Sequence, residues 1–158
     1  MRLKLNLLFL SLMLAAVSIP VGCATARAGG GGEAVQTETF LLEGLRPPGV
    51  PVGCMIVRNE EEWKNFWSQH SQKPAPDIDF EKNDLVMIFL GQKPNTGYSV
   101  KITHVREYPD KVVAEALETE PQPGALYAQV IVYPYDAVLI PKTDKNIECD
   151  LKKENVEP

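Results

Sequence analysis

Hydrophobic and polar residues follow two periods along this chain, and the helical one occurs only once. At "NEEEWKNFWSQH" the apolar positions Trp63, Phe66, Trp67 and His70 sit at i, i+3, i+4 and i+7, the spacing of one helical face. Asn59 is placed to cap that helix, with Glu62 three residues on. Glu60, Glu61 and Glu62 suit the positive end of its dipole, and Pro74 and Pro76 stop it. Two tryptophans and a phenylalanine at this spacing read as a plug covering a sheet rather than an aromatic binding box. The three glutamates point around the helix, so they form a solvated cap rather than a metal site. His70 is expected at the helix end, near the last carbonyls.

Elsewhere the pattern is that of strands separated by turns. Thr39–Leu45 is expected as a first strand, broken by Pro47-Pro48-Gly49 and Pro51. Cys54–Val57 is a short second one. "DLVMIFL", Asp84–Leu90, is almost continuously apolar and too short for a helix, as in a central strand buried on both faces. In "YSVKITHV", Tyr98, Val100 and Ile102 share one face. "KVVAEALE", "ALYAQVIVYPY" and "DAVLIPK" continue, with turns at Pro109–Lys111 and Pro121–Gly124 and a bulge or edge expected at Pro134. The fold class is therefore mostly β (α+β): an antiparallel β-sandwich or open barrel of about 7 strands with one amphipathic helix near residues 60–70, contacts between nearby strands dominating.

The N-terminus adds a compartment. Arg2 and Lys4 precede an apolar run, Leu5–Val17, that is short for a membrane span and reads as an export signal. Pro20-Val21-Gly22-Cys23-Ala24 resembles the lipobox of bacterial lipoproteins, with Cys23 as the lipidated residue. Small-x-small sites at Ala24–Ala26 and Ala26–Ala28 keep ordinary soluble export open. Gly29–Gly32 and the polar residues to Thr39 suit a flexible tether, or a disordered start without a role. The organisation is a signal peptide at 1–23, a glycine-rich linker at 24–39, one domain at 40–152 and a disordered tail at 153–158. The expected location is the cell envelope, on the periplasmic or extracellular face.

That compartment bears on the cysteines. With Cys23 lipidated or removed, Cys54 and Cys149 are the thiols of the mature chain, and an exported pair invites a disulfide. The alternative is two free, buried cysteines. Charge excludes a class: the net charge of −5 leaves no basic nucleic-acid footprint. Catalysis lacks its parts. The two histidines, His70 and His104, face no nucleophile elbow, and a bridged Cys54 is not a nucleophile. Asp77, Asp79, Glu81 and Asp84 lack the glycine and the final glutamate of a calcium loop. No cofactor, metal or small-molecule substrate is expected.

The candidate binding loop is "GQKPNTGY", with Lys93, Pro94, Asn95, Thr96, Gly97 and Tyr98 at its tip. It is expected as a hairpin corner between the strands on either side, where Gly97 supplies a positive φ and Tyr98 opens the next strand. Taken in order, "EEEWKNFW", "PDIDFEKNDLVMIFLG", "PNTGYSVKI", "EPQPG" and "VIVYPYDAVLIPK" resemble the C-terminal domain family of the protease complex subunit PrcB, over roughly Leu42–Lys142. The resemblance implies an exported, non-catalytic accessory domain whose partner is a protein, with an envelope protease as the family's example. "PNTGY" also resembles the inhibitory loop of chagasin-like cysteine-protease inhibitors, which implies the alternative of a protease inhibitor acting through Gly91–Tyr98.

Overall fold

The computed structural model describes residues 31–154, so the expected signal peptide, Cys23 and most of the 153–158 tail lie outside the described residues. Within them the order is β1 (Glu33–Ala34), β2 (Glu38–Thr39), β3 (Gly53–Val57), α1 (Glu60–His70), β4 (Asn83–Phe89), β5 (Ser99–Glu107), β6 (Lys111–Thr119), β7 (Tyr135–Pro141) and β8 (Asn146–Lys153). Two four-stranded sheets face each other, β1-β5-β6-β8 and β2-β7-β4-β3. The fold is a β-sandwich carrying one helix, as expected. One pair departs from the antiparallel expectation: β8 runs parallel to β6. The chain leaves β6 for β7 in the other sheet and returns through a tight turn, so β8 arrives in the direction of β6.

β4 sits inside its sheet, between β7 and β3, and its apolar run feeds two cores. Val86, Ile88 and Leu90 face the other sheet, packing with Val100, Ile102, Val105, Val112, Ala114 and Ile140. Leu85, Met87 and Phe89 face outward and are covered by Trp63, Phe66 and Trp67 of α1. A strand with no polar face is the consequence of a three-layer arrangement, helix on sheet on sheet. On β5 the inward positions switch from Val100 and Ile102 to Val105. A bulge between Ile102 and His104 inserts the extra residue that brings Val105 back to the core face.

α1 starts as its sequence dictates. The Asn59 side chain accepts the Glu62 N–H at 2.9 Å, and the Glu62 carboxylate accepts the Arg58 N–H at 3.1 Å. The indole N–H groups of Trp63 and Trp67 donate to the carbonyls of Pro76 and Lys73, so the returning chain satisfies both buried donors. The ring of His70 leans at a tilt against Phe66, 4.9 Å between ring centres.

The sulfurs of Cys54 and Cys149 are joined. The bridge links β3 to β8, each the edge strand of its own sheet, and so closes one side of the sandwich. At one end of the molecule, fully buried Asp84 lies 2.9 Å from the Lys142 ammonium and accepts the Thr143 N–H, while Arg58 donates to the carbonyls of Thr143 and Lys145. These contacts hold the β7–β8 turn.

Three further expectations are corrected. Thr39–Leu45 is not a strand: Thr39 ends β2 and the chain turns away at Glu43–Gly44. Part of the stretch expected as linker is paired, with Glu33–Ala34 on β5 and Glu38–Thr39 on β7. Sequential neighbours do not dominate. β4 pairs with β7, β6 with β8 and β1 with β5, because four of the connections cross between sheets.

Candidate functional site

The loop "GQKPNTGY" is not a hairpin corner. β4 and β5 belong to different sheets, and residues 90–98 carry the chain across the end of the sandwich. A second crossing, residues 120–134 between β6 and β7, lies against it. The first loop extends the β4–β7 ladder beyond the sheet. Leu90 donates to the Pro134 carbonyl at 3.0 Å, Lys93 and Val132 exchange N–H···O bonds at 2.9 and 3.0 Å, and the Thr96 N–H reaches the Ala128 carbonyl at 3.2 Å. The Thr96 hydroxyl accepts the Ala128 N–H in return.

Each expected residue has a place in this arrangement. Lys93 turns inward. Its ammonium donates to the Glu118 carboxylate at 2.6 Å and stands 4.9 Å over the ring of Tyr98. Glu118 is 4% exposed, so Lys93 neutralises a buried carboxylate and pins the loop to β6 rather than presenting a charge. Asn95 accepts the Gly97 N–H at 2.9 Å, a local turn that orders the tip. Pro94 and Thr96 are exposed, and Tyr98 is half-buried.

Gly97 has no positive φ, contrary to the sequence expectation; Gly91 does, at 68°. What Gly97 supplies is room. A Cβ there would lie 2.9 Å from Pro121 and 2.9 Å from Tyr127, so the absent side chain lets the two crossings touch. Gly97→Ala is therefore expected to separate the loops and lower the thermal midpoint, with a loss of about 1–3 kcal/mol by overpacking. An unchanged midpoint would show that Pro121 and Tyr127 yield freely.

The residues that sequence reasoning missed lie on the second crossing. "ALYAQVIVYPY" has the composition of a strand, yet regular sheet begins only at Tyr135, with a lone bridge at Val132. Leu126 is fully exposed, and Val130 and Ile131 are more than half exposed. Residues 121–135 contain no charged side chain. That uncharged run, flanked by proline and glycine, was the available signal. A groove of about 330 Å³ lies between the crossings, lined by Thr96, Tyr98, Val132, Tyr133 and Tyr135 among others. Burial pushes the Tyr135 phenol above its ordinary value, and its hydroxyl donates to the Leu42 carbonyl. At the rim, the Lys153 ammonium holds the Glu120 carboxyl below its usual range.

The arrangement offers backbone, aromatic rings and apolar side chains. Among the described residues no cluster of three or more histidine, cysteine or acidic side chains is placed to hold a metal. Residues 85–141 match the family described as PrcB C-terminal. The matched PrcB C-terminal segment runs from β4 through both crossings to the end of β7, so it contains the whole candidate site. It is shorter than the stretch in which the resemblance was read, since Trp63, Trp67, Pro76 and Phe80 lie before it. No curated protein and no solved structure matches the chain.

Proposed function

We propose that this chain is an exported, lipid-anchored, non-catalytic binding domain that serves an envelope protease as an accessory or stabilising subunit. The observation that carries the binding role is the exposed, uncharged surface of the 120–134 crossing, at the end of the sandwich that the PrcB C-terminal match includes. Contiguous exposed apolar residues on a small domain mark a surface meant to be covered. The polarity of the molecule suits a tether. β1 pairs with the far end of β5, at Arg106 and Glu107, so the chain enters the domain at the end opposite both crossings. An anchor at Cys23 would then leave the crossings facing away from the membrane.

The inhibitor alternative has less support. Lys93 is bonded inward to Glu118, and the backbone of Lys93 and Thr96 is tied to Val132 and Ala128, so the tip is a shelf within the surface rather than a wedge. A pull-down from envelope fractions separates the two. The accessory reading expects a protease to co-purify fully active and to be lost from a Leu126→Asp, Val130→Asp variant. Inhibition of a papain-like protease that disappears with Asn95→Ala, Tyr98→Ala would overturn it in favour of the inhibitor. For the anchor, Cys23→Ser is expected to release the protein from membranes, and unchanged membrane association would refute lipidation there.

A further inference from the structure

The second crossing has an edge as well as a surface. Leu90 bonds to Pro134, Lys93 to Val132 and Thr96 to Ala128, so the even-numbered backbone groups of this segment turn toward the first loop. The backbone groups of Ile131 and Tyr133, on either side of the Val132 bridge, turn the other way, and among the described residues they make no backbone–backbone hydrogen bond. This outward side lies in line with the edge of β7 that β2 occupies. β2 pairs with Val138 and Leu139, Phe40 donates to the Ala137 carbonyl, and the chain then leaves the edge at Leu41, which is 75% exposed. The edge is occupied up to Ala137 and vacant beyond it. The chain bends at Val130, and the register with the first loop slips by one residue between Ala128 and Val132, so the strand-like edge is confined to Ile131–Tyr133, which carries no charge to discourage pairing.

We infer that the outer edge of Ile131–Tyr133 accepts an extended, uncharged, β-branched or aromatic segment of the partner as an added strand, continuing the line of β2. The inference rests on the binding reading above and names the chemistry of the occupant. Main-chain bonds supply such pairing, and alternate side chains supply selectivity. The occupant is uncharged because a charge opposite residues 121–135 would be desolvated without a counter-charge. A second copy would also be uncharged, and pairing through the same edge would make the protein a concentration-dependent dimer, the outcome that the test below separates from a partner segment.

The test uses residues 24–158 and a phage-displayed library of random linear dodecapeptides. Panning is expected to enrich uncharged peptides in which β-branched or aromatic residues alternate, and a synthetic winner should protect the Ile131 and Tyr133 amides from hydrogen exchange. Ile131→Pro removes an N–H that the fold does not use, and is expected to weaken binding at least tenfold at an unchanged thermal midpoint. Ile131→Thr, which keeps the N–H, should bind within about threefold of the parent. If Ile131→Pro fails to fold, Ile131→Lys replaces it, since an edge lysine blocks pairing. Charged or helical winners, binding insensitive to these changes, or a concentration-dependent dimer that protects the same amides would each overturn the inference. Retention of the co-purifying protease by Ile131→Pro would sink the edge and leave the accessory role standing, whereas absence of any co-purifying protease would sink that role.

Discussion

Removing the bridge by Cys54→Ser with Cys149→Ala lowers the unfolding free energy by about 4–5 kcal/mol. The half-cystines are 95 positions apart, so the bond closes a loop spanning most of the domain, and the unfolded chain regains that freedom when it is cut. Against a total of about 5–15 kcal/mol for an ordinary domain, the loss is a large part of the stability. The effect is expected to reside mainly in the unfolded state, because Cys54 is exposed and Cys149 only partly buried, so little packing is lost. Urea unfolding of the parent with and without reductant, beside the double variant, checks this. The reduced parent and the variant should coincide, and a shift below about 1 kcal/mol would show that the two sheets hold together without their covalent edge.

Trp63→Ala is expected to lower stability by about 3–5 kcal/mol. Trp63 is 1% exposed and stands among Phe40, Phe66 and Trp67, with ring centres 6.3, 6.1 and 5.1 Å away. Its removal leaves a cavity over β4 and strips the Pro76 carbonyl of its indole donor. Trp63→Phe keeps most of the volume and loses the donor, so it should lie between the parent and the alanine variant. Because α1 covers the outer face of the sheet and the crossings lie at its end, peptide binding at temperatures where Trp63→Ala remains folded should match the parent. A parallel loss of binding would tie the helix to the site.

Much of the fold was legible because local pattern and burial agreed. The helix could be read from Asn59, the glutamates and the aromatic spacing, since capping and amphipathicity act within a few residues. β4 could be read from "DLVMIFL" because a strand covered on both faces has no polar side to show. The disulfide agrees with the even cysteine pair expected of an exported chain. The candidate site was half legible. The sequence marks "PNTGY", but its neighbour has the pattern of ordinary strand, because the composition of "ALYAQVIVYPY" is the same whether its edge is filled or left open. Gly97 was marked as special for the wrong reason: a turn's φ is a local property, whereas contact with Pro121 and Tyr127 depends on distant chain.

The sequence by itself determined the helix with its aromatic plug, the buried strand β4 and the uncharged character of residues 121–135, all set by residue chemistry over short spans. Only the tertiary structure decided that four of the connections change sheet, that β8 runs parallel to β6, that Lys93 is spent on buried Glu118, and that the outer edge of Ile131–Tyr133 stands open. These depend on which strands meet across long separations. Pairing partners are chosen by the packing of whole faces, and no local period records that choice.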